Sequence, residues 1–164
     1  MNTKIKTSEQ LSKIVSNIKK EGKKVVFTNG CFDIIHIGHT RYLAQAKELG
    51  DVLVVAVNDD TSVKHLKGEQ RPIITEEERA EILASLEVVD FVTIFRELTP
   101  YNVISKLQPD ILVKGGDWTK DTIVGKDIVE SYGGKVLTIP LVNSISTSTI
   151  LKRILEQSPN TCQF

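Results

Sequence analysis

Two imidazoles three residues apart, beside a glycine and at the start of a helical stretch, are the densest chemical signal in this 164-residue chain. They close the segment Thr28-Asn29-Gly30-Cys31-Phe32-Asp33-Ile34-Ile35-His36-Ile37-Gly38-His39. A spacing of three puts His36 and His39 on one side of a helix start, where free backbone amides favour an anion. Gly30 and Gly38 allow backbone to approach a ligand closely. The chemistry such a group suits is the handling of phosphate. A histidine taken alone is as readily a structural hydrogen-bonding residue as a functional one; the pairing with Gly38 favours function. Zinc has little support, because only His65, Cys31 and Cys162 remain as further nitrogen or sulfur ligands. No GxGxxG follows the first strand and no GxxxxGK[ST] occurs, so dinucleotide and P-loop readings fall away.

Three further segments carry polar chemistry. Ser144-Ile145-Ser146-Thr147-Ser148-Thr149 opens the last helix, where its hydroxyls and amides suit a cap, phosphate oxygens, or both. Lys64, Lys67 and Arg71 crowd the loop after the second strand, where cations suit a sugar phosphate or the charge that develops on a transferring phosphoryl group. An ordinary solvated basic loop is the bland alternative. Lys114-Gly115-Gly116-Asp117-Trp118 leaves the fourth strand and suits either a base or ribose contact or a simple turn.

These segments need elements to bring them together. Ser8 is placed to cap a helix with the stripe Leu11, Ile14, Val15, Ile18, stopped at Gly22. Strands are expected at 25–27, 52–57, 91–95, 111–113 and 136–139, the short apolar runs of a buried sheet. Between them, helices are expected from Gly38 to Leu49, after the Thr75/Glu78 capping box, from Thr99-Pro100 to Leu107, around Lys126 to Tyr132, and from Ser146 or Thr147 onward. The stretch after the second strand reads as a loop with one short helical turn. Strands alternating with helices predict an α/β fold: a single doubly wound Rossmann-like domain with a five-stranded parallel sheet. Its parts are an N-terminal helix at 1–22 packed on the domain, a main body at 23–157 and a C-terminal tail at 158–164. Ligands of such sheets bind at the carboxyl ends of the strands, which is where the histidine, lysine and glycine segments fall.

Composition sets outer bounds. A hydrophobic share of 40% with 26% charged residues excludes disordered, collagen-like and coiled-coil classes. Lys+Arg 21 against Asp+Glu 21 leaves no net charge, so no broad footprint for nucleic acid or a membrane surface is expected. Any polyanion bound is small and locally held. The apolar run at 52–57 is far too short to span a bilayer, and two distant cysteines give no disulfide framework. A reducing, cytoplasmic setting is expected.

Taken together, His36-Ile37-Gly38-His39, its approach Asn29-Gly30-Cys31-Phe32-Asp33 and the late Ile145-Ser146-Thr147-Ser148 resemble the HxGH nucleotidyltransferase superfamily. FTNGCFD, KGxxRPI as Lys67 to Ile73, VKGGD as Val113 to Asp117 and the late STS make the chain similar to the adenylyltransferases that form ADP-heptose from ATP and D-glycero-β-D-manno-heptose 1-phosphate. The likeness runs from about Val25 to Ile154. The glycerol-3-phosphate cytidylyltransferases carry an arginine in their late motif, absent here, which favours the heptose branch.

The resemblance implies catalytic roles toward the ATP phosphates for His36, His39 and Lys67. It implies nucleotide contacts for Asn29, Gly30, Cys31, Phe32, Asp33, Gly38, Lys114, Gly115, Gly116, Asp117, Ser146, Thr147 and Ser148. Lys64, Arg71 and Arg79 fall to substrate or structural roles, and Asp33 either orients a histidine or meets the water shell of a metal. Mg2+ would accompany ATP with no dedicated protein ligands. A homodimer, and a separate heptose kinase supplying the sugar phosphate, are the expected partners. A cytidylyltransferase acting on glycerol 3-phosphate or another small phosphate, and a nucleotide-sensing module without turnover, are the rival readings.

Overall fold

The computed structural model describes residues 3–116, 122–140 and 145–157. Its elements run α1 (Ser8–Lys20), β1 (Val25–Gly30), α2 (Ile37–Lys47), β2 (Val52–Asn58), α3 (Asp60–Lys67), α4 (Glu76–Ala84), β3 (Phe91–Phe95), α5 (Tyr101–Leu107), β4 (Ile111–Gly115), α6 (Lys126–Ser131), β5 (Lys135–Ile139) and α7 (Thr147–Gln157). All five strands pair in parallel in the order β3-β2-β1-β4-β5. This is the expected doubly wound sheet, and β1 is the strand at which the winding reverses. The crevice at such a reversal, here between the carboxyl ends of β1 and β4, is where ligands of this architecture bind.

The sheet is covered on both faces, so its strands are continuous apolar runs rather than alternating ones. Leu53, Val54, Val55, Ala56 and Val57 of β2 have no exposed surface at all. One layer gathers Val26, Leu53, Val55 and Val57 with Tyr42, Leu43, Ala46, Ala80 and Leu83 of α2 and α4. The other gathers Val25, Phe27, Val54 and Leu112 with Leu11 and Val15 of α1 and Val103, Ile104 and Leu107 of α5. At roughly 1.5–3 kcal/mol for each buried large aliphatic or aromatic side chain, these two layers hold the strand ends in fixed register.

Three local expectations are corrected. Thr7, not Ser8, caps α1: its side chain accepts from the Gln10 amide while Gln10 returns a bond to the Thr7 amide. The pair is a reciprocal capping box that Ser8 cannot form with its own third neighbour. Pro100 rather than Thr99 occupies the cap of α5; its carbonyl accepts the first helical bond from Ile104, with no side-chain cap. The stretch after β2 is a two-turn helix, α3, because the Asp59 carboxylate accepts from the Ser62 amide and starts it. The Thr75/Glu78 capping box opens α4 as expected.

Candidate active site

β1 ends at Gly30, and the chain crosses six residues before α2 begins. His36 is the N-cap of α2: its Nδ1 accepts from the Gly38 amide at 3.1 Å. That bond fixes the tautomer. Nδ1 is an acceptor, so the neutral ring carries its proton on Nε2 and presents it as a donor. The His39 ring stacks on His36 with centroids 3.9 Å apart and planes 26° from parallel, while Phe32 meets His39 edge-on at 5.4 Å. A Cβ on Gly38 would lie 2.9 Å from the His36 ring, so only glycine admits the capping imidazole. Similarly, a Cβ on Gly30 would stand 3.1 Å from the Phe32 ring. Both glycines therefore serve close approach, first of all by the loop's own rings.

Burial keeps these imidazoles neutral. It pulls His36 below the ordinary histidine value and, together with the neighbouring His36, takes His39 to about 4. His39 Nδ1 is buried and has no partner among the described residues. An orphaned ring nitrogen costs stability, a cost that binding residues carry and packing residues ordinarily avoid.

The late hydroxyl segment reaches the same place. Ser146 accepts from the Thr149 amide at 3.1 Å and so caps α7. Thr147 donates its hydroxyl to the Asp33 carbonyl at 2.7 Å, across 114 residues of sequence. Ile145 comes within 3.5 Å of the position a Gly38 Cβ would take. Ser148 is exposed on the first turn of α7. The N-termini of α2 and α7 thus stand side by side, and the positive end of each helix dipole favours an anion there.

Lys114, at the end of β4, extends to the neighbouring strand and donates to the side-chain oxygen of Asn29 and, at 3.5 Å, to its backbone carbonyl. Burial pulls this ammonium down to about 8. A lysine thus stands in the β1/β4 crevice itself. Gly115 and Gly116 complete the edge, the Gly116 amide donating to Ile139 at 2.9 Å; Asp117 lies outside the described residues. Cys31 is half-buried, and burial raises its thiol against the pull of Lys67, Arg79 and Arg71. A raised thiol is a poor nucleophile.

The remaining cations are less uniform than their sequence clustering implies. Lys64 and Lys67 sit on α3 rather than in a loop, both exposed. Arg71 donates to Asp33 at 2.6 Å. Arg79 has no exposed surface, and its three donor groups end on Ile74, Cys31 and Asp60. Of the roles open to it, the structural one fits. Asp33 touches no histidine: its two oxygens accept from Arg71 and from the Ile73 and Ile74 amides. The contacts of Asp33 with Arg71, Ile73 and Ile74 and of Arg79 with Cys31, separated by 38 to 48 residues, have no local sequence signal. The same is true of Tyr42, whose hydroxyl joins Thr28 at 2.6 Å and Val113 at 3.2 Å and so ties α2 to β1 and β4.

Among the described residues no helix is long and apolar enough to cross a membrane, and no group of three His, Cys, Asp or Glu side chains could hold a metal.

Known proteins are similar to this chain in sequence and fold. Residues 27–156 match the cytidylyltransferase-like family model. The chain is 53% identical over 155 residues to the bifunctional protein HldE of Syntrophotalea carbinolica, and 54% identical over 152 residues to that of Geobacter metallireducens. It spans 94% and 93% of itself in these matches but only 32% and 31% of those relatives, about a third of their length. Among solved structures, a lipopolysaccharide core biosynthesis protein from Thermoplasma volcanium is 31% identical with a TM-score of 0.60, the match covering 73% of this chain and 97% of that one. The pantoate-beta-alanine ligase of Francisella tularensis, 17% identical with a TM-score of 0.62 over 98% of this chain and 81% of that one, shares the fold. Stacked neutral imidazoles at one helix start, a second helix start beside them, and the family match over most of the sheet lead to one conclusion: the chain belongs to the cytidylyltransferase-like family and is a nucleotidyltransferase.

Proposed function

We propose that the chain transfers AMP from ATP to D-glycero-β-D-manno-heptose 1-phosphate, giving ADP-heptose and pyrophosphate. The observation that carries this reading is the stacked His36/His39 pair at the start of α2, tied through Asp33 to the start of α7. Two adjacent helix N-termini, the Nε2–H of His36 and a second neutral imidazole stacked on it suit a polyphosphate. The half of the reading that names heptose rests on the resemblance carried by FTNGCFD, KGxxRPI, VKGGD and the late STS, and similarity to a bifunctional protein HldE and to a lipopolysaccharide core biosynthesis protein supports it.

In the proposed reaction an oxygen of the sugar phosphate attacks the α-phosphorus of ATP in line. The new oxygen–phosphorus bond forms as the bond to the β-phosphate oxygen breaks, and pyrophosphate leaves with that electron pair. The nucleophile is already anionic near neutral pH, so the protein supplies no base and no covalent intermediate; its work is positioning and charge stabilisation. His36 and His39 act as neutral donors to the oxygens on which charge builds. Lys67, exposed on α3, adds positive charge toward the ATP phosphates, and Lys64 on the same helix does so on the acceptor side. Lys114, with Asn29, lines the crevice that takes the nucleoside end. The Asp33 carboxylate is spent on Arg71, Ile73 and Ile74 and is not free to ligate magnesium. A Mg2+ ion would arrive on the phosphates of ATP and keep water in its remaining positions. A homodimer, and a sugar-kinase reaction that supplies the 1-phosphate, complete the proposal.

Incubation with Mg2+, ATP or CTP, and either heptose 1-phosphate or glycerol 3-phosphate tests it. Pyrophosphate release and a product of ADP-heptose mass from the first pairing alone is the expected result. Turnover only with CTP and glycerol 3-phosphate would move the chain to the cytidylyl branch. Nucleotide binding in calorimetry without pyrophosphate from any pairing would make it a sensor.

A further inference from the structure

The segment that carries the histidines is held in a conformation it would not adopt by itself. Phe32 and Ile34 both have left-handed backbone angles, φ 50° and 55°. For a β-branched isoleucine this is a genuine outlier, and such residues cost roughly 1–3 kcal/mol each unless their surroundings impose them. The surroundings do so at two points. Beneath the loop, Arg79 is the largest fully buried side chain among the described residues, and its Nη1 donates to the Cys31 carbonyl at 2.6 Å. The same guanidinium reaches Asp60 through Nη2 at 2.7 Å and the Ile74 carbonyl through Nε at 3.0 Å. Two residues on, the Asp33 carboxylate, 2% exposed, accepts from Arg71 and the Ile73 and Ile74 amides. Arg79 therefore joins the loop after β1, the segment before α4 and the first residue of α3, the helix that bears Lys64 and Lys67.

We infer that Arg79 is a positioning residue of the transfer reaction: by holding the Cys31 carbonyl against Asp60 and Ile74, it sets the strained loop that places His36 over Gly38 and His39 against His36. This rests on the proposed function only for its kinetic consequence. The planar fork of the guanidinium is required, since one lysine ammonium cannot reach carbonyl, carbonyl and carboxylate in three directions at once.

The test compares Arg79→Lys with the unaltered chain by kcat and KM for ATP and by the 15N resonances of the imidazole nitrogens, which report the acceptor state of His36 Nδ1. Expected is a kcat about 10²-fold lower with KM changed less than about threefold, and a shifted His36 Nδ1 signal, an effect of the size seen when a catalytic donor is misplaced. A folded Arg79→Lys variant with unaltered imidazole signals and kcat would overturn the inference. If that variant does not fold, Asp60→Asn decides in its place: it weakens the Arg79 anchor while leaving the loop residues intact. A shifted His36 signal in that variant supports the role, and an unshifted one ends it. If the unaltered chain releases no pyrophosphate with any acceptor, the functional reading fails while the imidazole signals still report on Arg79.

Discussion

In the proposed reaction both imidazoles donate to the polyphosphate, so each removal deletes a donor aimed at developing charge. His36→Ala and His39→Ala are each expected to lower turnover by about 10²-fold or more, as lost oxyanion donors do, with circular dichroism unchanged. Near-normal turnover in either variant would strip that histidine of the role. Cys31 sits in the same loop, yet its thiol is raised by burial and only its carbonyl is used, by Arg79. Cys31→Ser is therefore expected to keep pyrophosphate release within a few-fold of the parent; a nucleotide trapped on the thiol by mass spectrometry would contradict this. The two histidines and Gly38 were legible in the sequence because one turn of helix makes residues at that spacing neighbours. Asp33 was not: whether it served a histidine or a metal depended on Arg71 and on the amides of Ile73 and Ile74, which only the folded chain brings to it.

At the scale of elements, α2 is the part whose placement matters most, since it carries both rings. Its hydrophobic contacts are supplemented by the Tyr42 hydroxyl, which bonds to the fully buried Thr28 hydroxyl and to the Val113 carbonyl. Tyr42→Phe leaves both groups buried without that partner, and an expected loss of about 1–3 kcal/mol follows from the desolvation penalty. Urea midpoints measured at constant m-value check it; no change would mean that the two groups find other partners. Strand positions and the capping box of α4 were readable because apolar runs and reciprocal caps are local. The full length of α3, expected as a loop with one short helical turn, was not readable because its sequence is polar apart from Val63 and Leu66, and its start depends on one carboxylate, Asp59. Consequently Lys64 and Lys67 were expected on a loop but stand on a helix that Arg79 pins at its first residue.

Across the whole molecule, the buried neutral state of His39 links the site to stability. Its folded-state value is about 4, below the 6.5 expected of an unfolded chain. Above pH 6.5 both states are unprotonated there and nothing is lost. As pH falls from 6.5 toward 4, the unfolded state takes up a proton that the folded state refuses, so stability falls. In His39→Gln that component is absent. The stability difference between the parent and His39→Gln is therefore expected to hold constant above pH 6.5 and to shift against the parent below it, as urea unfolding at several pH values would record. A difference independent of pH from 4.5 to 8 would mean that His39 titrates normally in the fold. By itself the sequence determined the doubly wound sheet, the pairing of His36 with His39 and the polar start of the last helix, because periodicity, capping and helical spacing act over a few residues. Tertiary structure alone decided that Arg79 lies buried under the histidine loop, that Asp33 clasps the segment before α4, and that Thr147 closes on the Asp33 carbonyl. Those contacts join residues 38 to 114 positions apart, and their partners are set by which strand ends the sheet places side by side rather than by any local preference of the chain.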